Sequence, residues 1–595
     1  MNFKKVVPHS VRRLTALLLV FTLTVSLAGC SLLPGSGRAS SKETKEQQRF
    51  DAFADEVFRS EIAMNIINLH FTLAHPENYG IEDYEVSLGD FSAQEDQESY
   101  DLLRDYIKDL KEFDYDLLTE EQKLTYDIFL TYAQDSLEQE GFRLYESYLT
   151  PTTGMQSYIP TLLAEYKFYR EKDVQDYLKI LELLPAYFED LAVYAREQSE
   201  AGFFMPDFSV DKVIDQCRQF MEDPENHYLI DSFNLRLDET DFLEETQKDA
   251  YREDNARLMQ ECVFPAFTSL IEALEDLKGT SVNSRGLEAY DKGREYYSLL
   301  VRESTGSSKS VEEIEDLLMN QFDSDMRRLM ELSLADDTAF DRMEDCPVDL
   351  SDPYQVLNQL KTGIAADFPD NGQLPFEINY VPESMEEYTN PAYYILPPID
   401  DLENNIIYIN RTHLTENIED FATLAHEGFP GHLFQTTYFY GKNPADIRKL
   451  FSFSGYSEGW GTYAEVYAYR LAGTDDTVRE LNELNKSYTF ILYCLADIGI
   501  NYEGWTLDDT VSFFQTLGIP EDAANEVFEM MVEEPALYLS YYLGYLEFTE
   551  LREKARETLG DSFNLKEFHT FLLDIGPAQF EIIGDRMDLW MEEQL

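Results

Sequence analysis

A histidine pair with an unusual spacing is the strongest chemical signal in the chain. The segment "TLAHEGFPGHLFQ" places Glu427 directly after His426, as in the zinc motif H-E-x-x-H, but the next histidine is His432, six residues after His426 rather than four. Histidines four apart share one face of a helix, whereas six residues rise about 9 Å and turn roughly 600°. Both imidazoles can therefore reach one zinc ion, at about 2.0–2.1 Å each, only if the helix is interrupted.

The residues between the two histidines can provide that interruption. Pro430 has no N–H to donate to the carbonyl of His426, and its ring clashes with that carbonyl. Gly431 permits backbone angles that are closed to other residues. The sequence therefore predicts a break at 429–431 that turns His432 back towards His426. The alternative is that the two histidines are ordinary packing or capping residues.

A third candidate ligand is Glu458 in "YSEGWGTYAE", 26 residues after His432. A hydrolytic zinc site needs three protein ligands, an open position for water and a general base near that water. His426, His432 and Glu458 can supply the ligands for one zinc ion, and Glu427 can supply the base. Glu465 lies two helical turns after Glu458, where it can hydrogen bond with a ligand imidazole. Its alternative is a solvated glutamate of an acidic protein.

These motifs resemble a bacterial family named domain of unknown function eight-eight-five. The resemblance rests on "HEGFPGH" and "EGWGTYAE", and it extends over nearly all of the mature chain through "FDYDLLTEEQKLTYDIFL", "DVQDYLKILELLPAYFEDL", "LSYYLGYLEFTELREKARETLG" and "FNLKEFHTFLLDIG". The family is similar to glutamate-type zinc metallopeptidases with an α-rich fold. The resemblance implies His426, His432 and Glu458 as zinc ligands and Glu427 as the general base.

Peptide hydrolysis also needs a hydrogen-bond donor for the oxyanion that develops on the carbonyl oxygen. The segment "LYLSYYLGY" is rich in tyrosines, and Tyr541 lies in an S-Y-x-x-G pattern that resembles the family segment. A tyrosine hydroxyl is a donor at neutral pH. We expect Tyr541 to be this donor. Because the chain has 39 tyrosines, simple packing is the alternative.

The pattern of apolar residues predicts a mainly α-helical fold, since most of the chain has them at three- and four-residue spacing. The segments "LPFEINYVPES", "PAYYILPP" and "NNIIYIN" break this pattern and predict a small antiparallel β-sheet just before the HE helix. The strand in "NNIIYIN" is either structural or an exposed edge to which a peptide can add. We predict one metallopeptidase-like domain over residues 48–595, with two lobes that divide near 305–310.

The N-terminus predicts export and lipid attachment. Basic residues precede the apolar stretch "LTALLLVFTLTVSLAGC", which is too short and wrongly flanked for an ordinary membrane span. Its end, "LAGC", resembles a bacterial lipobox, so residues 1–29 are expected to be a signal peptide and Cys30 the site of the lipid. Residues 30–47 are rich in Gly, Ser and polar residues and predict a flexible tether. The alternative is a secreted protein with a chance cysteine.

Charge limits the class of partner. The 47 Lys and Arg against 115 Asp and Glu give a net charge of -68, and such an acidic surface repels phosphate backbones, so we expect no nucleic acid partner. The sequence favours a lipid-anchored, extracellular zinc metallohydrolase that cleaves peptides. Two alternatives remain: a zinc amidase or deacylase acting on a non-peptide amide, and a lipoprotein that binds peptides without cleaving them. The oligomeric state stays open.

Overall fold

The computed structural model describes residues 41–336, 338–372, 374–381, 386, 391–414 and 417–595. The predicted signal peptide and Cys30 lie outside these residues. The described chain is mainly α-helical, as the spacing of apolar residues predicts. The division into lobes near 305–310 stays a prediction; these residues lead from the helix Gly293–Thr305 to the helix Val311–Ala335.

The first part of the chain is a succession of helices that build the larger apolar core. Thr119 caps one of them through a capping box with Gln122, and this helix then carries buried Ile128 and Phe129 towards the core. The helices are α1 Ser41–Ala63, α2 Ile66–Thr72, α3 Ala93–Leu110, α4 Glu120–Glu138, α5 Met155–Glu165, α6 Glu171–Ala201, α7 Asp207–Phe220, α8 Tyr228–Glu239, α9 Glu245–Leu258, α10 Phe264–Leu277 and α11 Gly293–Thr305.

The second part contains the sheet and the predicted site. Its elements are α12 Val311–Ala335, α13 Pro353–Gly363, β1 Glu377–Tyr380, β2 Ala392–Ile395, β3 Ile406–Ile409, α14 Ile418–Glu427, α15 His432–Gly441, α16 Ser454–Ala468, α17 Asp476–Ile498, α18 Leu507–Thr516, α19 Glu521–Glu533, α20 Leu537–Leu559, α21 Leu565–Ile575 and α22 Phe580–Gln594. Within the described residues, no helix is both long enough and apolar enough to cross a membrane.

The predicted tether is partly helical. Helix α1 begins at Ser41, so residues 41–47 are not the flexible segment that we predict from composition. The reason is that "KETKEQQ" consists largely of good helix formers. The start of the helix is also held from outside, because Lys42 forms an ion pair with Asp114 and Gln47 donates to the carbonyl of Leu117.

The small sheet is mixed rather than antiparallel. Strands β2 and β3 are antiparallel, with Tyr394 opposite Ile407, but β1 and β3 are parallel, with Glu377 opposite Ile406. The prediction is wrong for this pair because β3 lies between the other two strands, and the chain reverses direction twice between β1 and β3. As the central strand, β3 has no open edge, so "NNIIYIN" is not the strand to which a peptide can add.

Helices α14, α16 and α20 pack side by side and carry most of the predicted site residues. Glycines let α16 and α20 approach closely. A Cβ on Gly544 would lie 2.0 Å from the carbonyl oxygen of Gly455, and one on Gly459 would lie 2.4 Å from the carbonyl carbon of Gly544. This close approach fixes the position of α20 along the axis of α16. Glu458 lies on α16 next to Gly459.

Candidate metal centre

The predicted helix break is confirmed. Helix α14 ends at Glu427 and α15 begins at His432, and the backbone of Gly428 and Gly431 is not helical. The Phe429–Pro430 peptide bond is cis. The break brings the ring centroids of His426 and His432 to 4.5 Å, so the six-residue spacing is compatible with one shared ion.

Two hydrogen bonds hold the broken segment in place. The N–H of Gly431 donates to the carbonyl of Ala425 at 3.0 Å, and the indole N–H of Trp460 donates to the carbonyl of Pro430 at 2.8 Å. Trp460 is fully buried on α16, the helix that also carries Glu458. One side chain therefore ties the break to the helix of the third candidate ligand, a role that sequence reasoning missed.

The three predicted ligands come together. His426, His432 and Glu458 each offer one ligand atom, and these atoms all lie within 4.8 Å of one another. The Nε2 atom of His426 is 3.3 Å from Oε2 of Glu458, and Nε2 of His432 is 3.5 Å from the same oxygen. Two ligands bound at about 2.0–2.2 Å with a tetrahedral angle are separated by about 3.4 Å. The spacing of the three side chains therefore fits a tetrahedral zinc site.

The burial of these groups also fits a cation. Nε2 of His426 and Oε2 of Glu458 are shielded from solvent, and they face each other across 3.3 Å without the geometry of a hydrogen bond to each other or to another described residue. Burial alone would raise the pKa of Glu458, but the neighbouring imidazoles of His432 and His426 outweigh it and hold that pKa well below its ordinary value. Buried polar atoms without partners are costly, and a bound ion would satisfy both of them.

A chain of buried charged groups orients His426. Its Nδ1 lies 2.5 Å from Oε1 of Glu465, so Glu465 is not the solvated residue of the alternative interpretation. Lys486 of α17 bridges Glu465 and Glu419 at 2.6 and 2.7 Å, and Tyr469 donates to Glu419. An ionised Glu465 accepts a hydrogen bond from the N–H at Nδ1, which keeps the proton on Nδ1 and leaves the lone pair of Nε2 free to bind a metal.

Lys486 explains how a carboxylate can stay ionised in this buried place. Burial alone would raise the pKa of Glu465, but Lys486 and then His426 lower it to about 2. Burial likewise acts to lower the pKa of Lys486, and the carboxylates of Glu419 and Glu465 reverse the effect and raise it. Burying these charges is tolerable because each has a partner.

Glu427 lies against the edge of the sheet. Its side chain is buried, and its Oε2 accepts a hydrogen bond from the backbone N–H of Tyr394 at 2.9 Å. Tyr394 belongs to β2, whose other side pairs with β3, so this N–H points away from the sheet towards α14. The contact holds the carboxylate in one orientation beside His426, which a general base requires.

Tyr541 is also at the site. Its ring centroid is 6.3 Å from that of His426. Burial, followed by the charge of the nearby Glu458 carboxylate, raises the pKa of Tyr541 well above its ordinary value. The hydroxyl therefore stays protonated at neutral pH and remains a hydrogen-bond donor next to a candidate metal ligand.

Gly461 makes room for the ligand imidazole. A Cβ at this position of α16 would lie 2.5 Å from Cε1 and 2.6 Å from Nε2 of His426, closer than atoms can approach. We expect Gly461→Ala to push the ring aside and to lower zinc affinity by about 10–100-fold, the range seen when the support of a ligand is lost. Zinc competition against a chromogenic chelator measures the affinity.

Gly584 offers a matched control for this substitution. It lies in α22, and a Cβ there would meet nothing within 4 Å. Gly584→Ala should leave zinc affinity unchanged and should slightly stabilise the helix. Equal zinc affinity in Gly461→Ala and wild-type protein would contradict the placement of His426 in a metal site.

Comparison with known proteins identifies the family. The family model described as "Bacterial protein of unknown function (DUF885)" matches residues 76–587. The chain belongs to this family. No curated protein matches it. The family description assigns no activity, so membership in DUF885 establishes the relationship and leaves the chemistry of the site to be argued from its residues.

Two solved structures share the fold of this DUF885 protein. One is a "putative lipoprotein" from Colwellia psychrerythraea, with a TM-score of 0.81 and 18% identity over 92% of this chain and 99% of that one. The other is a "putative lipoprotein of unknown function" from Shewanella oneidensis, with a TM-score of 0.61 and 15% identity over 92% of this chain and 100% of that one. At these identities the likeness establishes the fold alone.

Proposed function

We propose that this protein is a zinc-dependent metallopeptidase, held at the outer face of the cell membrane by a lipid on Cys30. The observation that carries the proposal is the spacing of His426, His432 and Glu458. Oε2 of Glu458 lies 3.3 Å from Nε2 of His426 and 3.5 Å from Nε2 of His432, and the three ligand atoms surround a common point within 4.8 Å of one another. That spacing matches a tetrahedral zinc site with three protein ligands and one open position.

The residues around this point can carry out amide hydrolysis. Zinc bound by the three side chains would polarise a substrate carbonyl and make a neighbouring water acidic. Glu427 accepts a proton from the attacking water and delivers it to the leaving amine. Tyr541 donates a hydrogen bond to the oxygen that gains negative charge. Glu465, held by Lys486, keeps the imidazole of His426 in position.

The outer edge of β2, along which no described strand pairs and where Glu427 already accepts from the N–H of Tyr394, favours a peptide over another amide as substrate. Strand β2 pairs only with β3 within the described sheet, and its outer side faces Glu427 through the N–H of Tyr394. An extended peptide adds to such an edge through main-chain hydrogen bonds, which would align its backbone beside the base. Peptide addition is one of the two alternatives that the sequence leaves open for "NNIIYIN", and here it is proposed for the neighbouring strand.

The function is tested by digesting a peptide library with zinc-loaded and chelated protein and reading the products by mass spectrometry. We expect cleavage that disappears on chelation and returns with zinc. Hydrolysis of acylated amines without peptide cleavage would support the deacylase alternative and contradict the peptidase. Peptide binding without any hydrolysis would identify a binding lipoprotein and contradict both enzymes.

The lipid anchor makes a separate prediction about location. The segment "LAGC" ends at Cys30, and the two solved proteins with this fold carry lipoprotein names. We expect Cys30→Ser to abolish lipid attachment, so that the protein leaves the membrane fraction or accumulates as an unprocessed precursor. Fractionation with immunoblotting measures this, and Cys262→Ser is the control. Normal processing with full membrane retention of Cys30→Ser would contradict the lipoprotein assignment.

A further inference from the structure

A three-residue turn joins α19 to α20, the helix that carries Tyr541. The turn consists of Glu534, Pro535 and Ala536, and Ala536 is fully buried with φ at 65°. This left-handed conformation is unfavourable for a residue with a Cβ. It persists only where the surroundings impose it, so the contacts of this turn show what holds it.

Asp497 of α17 is the main anchor of the turn. It is fully buried, and its Oδ2 accepts the backbone N–H of Ala536 at 2.8 Å. Its Oδ1 accepts from Nδ2 of Asn501 at 2.7 Å, and the same amide donates to the carbonyl of Met531 in α19. Two side chains therefore fix the end of α19 and the start of α20 together.

Glu534 anchors the other side of the turn. Its buried carboxylate accepts hydrogen bonds from the hydroxyl of Thr150 at 2.6 Å and from the backbone N–H of Thr153 at 3.2 Å. The turn is thus held from two directions, by α17 on one side and by the segment before α5 on the other. Buried carboxylates with several donors are rigid anchors because losing a partner is costly.

The position of Tyr541 follows from this anchoring. It lies five residues after Ala536, which is about 7.5 Å along the helix. Three residues further on, Gly544 packs against the backbone of α16 at Gly459, beside Glu458. The turn and the glycine contact are therefore two fixed points on α20, one on each side of Tyr541. Together they determine how far the hydroxyl reaches towards Glu458.

From this geometry we infer that Asp497 is a positioning residue for Tyr541, with Glu534 as its second anchor. It acts from outside the metal centre by holding the turn from which α20 starts. The inference rests on the proposed function for the role of Tyr541 in hydrolysis. Asp497 would thus support the oxyanion donor from α17, a helix that carries none of the three candidate ligands.

The test is a double-mutant cycle with Asp497→Asn and Tyr541→Phe in the full-length protein. Asparagine offers one acceptor where the structure needs two, so the turn loosens. We expect Asp497→Asn to lower turnover roughly tenfold relative to wild type. Added to Tyr541→Phe, the same change should lower turnover less than about twofold, because that variant has no hydroxyl to misplace. Equal losses in both backgrounds would overturn the inference. Asp508→Asn, an exposed change on α18, is the control.

Cobalt spectroscopy decides the inference without a substrate. The ring of Tyr541 lies 6.3 Å from that of the candidate ligand His426, so displacing its hydroxyl should shift the visible bands of the cobalt-substituted protein. We expect Asp497→Asn and Tyr541→Phe to shift them in the same direction with equal cobalt content. An unchanged spectrum in folded Asp497→Asn would overturn the inference. If Asp497→Asn does not fold, Thr150→Val loosens the same turn through its second anchor, Glu534. A smaller shift in the same direction is then expected, and an unchanged spectrum would contradict the turn as a support for Tyr541.

The two readouts separate this inference from the proposed function. A wild-type protein that binds cobalt and cleaves no peptide would contradict the peptidase, while a shared spectral shift would still support the role of Asp497. A wild-type protein that cleaves peptides but shows additive effects in the cycle would contradict the role of Asp497 alone. A protein that binds no cobalt at all would contradict both.

Discussion

Replacing Glu427 by glutamine is expected to lower turnover by about 10²–10⁴-fold while zinc stays bound. Glutamine has nearly the same shape, and its carbonyl oxygen can still accept the N–H of Tyr394, so the fold around the site is kept. The amide cannot take a proton from water at neutral pH. Because Glu427 is not one of the three clustered ligand groups, its loss removes a base and leaves the metal site complete.

Turnover and metal content must be measured on the same preparation. A peptide identified in the library digest gives kcat, and elemental analysis gives zinc per chain. Glu521→Gln removes the same charge at an exposed position on α19 and should behave as wild type in both measurements. Wild-type turnover in a zinc-loaded Glu427→Gln variant would contradict the mechanism even if the metal site is correct.

The helix break was predictable because its causes are local. Pro430 removes a donor and collides with the preceding turn, and Gly431 accepts angles that other residues avoid. Both effects act within a few residues of His426, so they do not depend on the rest of the fold. The helical class was predictable for the same reason, since apolar spacing is a property of each segment.

The order of the strands could not be predicted in this way. The same three strands could form an antiparallel meander in the order β1-β2-β3. In the observed sheet, β3 lies between β1 and β2 instead. The choice depends on which strand edge is left beside α14, and that is a tertiary property. As a result the sequence pointed to "NNIIYIN" as the open edge, whereas the strand in contact with Glu427 is β2.

The supports of the site were hidden for a related reason. Lys486 lies in "NELNKSYTF", where a lysine among polar residues is typical of a solvated helix face. It is buried only because α17 brings it between Glu465 and Glu419, which belong to two other helices. The candidate ligands and the base can be recognised from sequence because they lie in short motifs. The groups that orient them come from distant parts of the chain, so sequence does not reveal them.

Replacing His432 by alanine is expected to weaken zinc binding by more than about 100-fold, beyond what the loss of a supporting contact costs. The reason is geometric: only two ligands would remain, and zinc sites with an open position use three. Isothermal titration with zinc measures the affinity. Since a ligand that binds only the folded state raises its stability, the zinc-dependent increase in melting temperature should disappear as well.

The control for losing a histidine is His75→Ala, because His75 is half exposed and its imidazole contacts the side chains of Glu77 and Tyr169, neither of which is a candidate ligand. That variant should bind zinc as wild type does. Glu458→Gln should resemble His432→Ala, since the shared oxygen lies 3.3 and 3.5 Å from the two imidazoles. Full zinc occupancy in His432→Ala would mean that the break in "HEGFPGH" serves another purpose, and that His432 is a neighbour of the ion rather than one of its ligands.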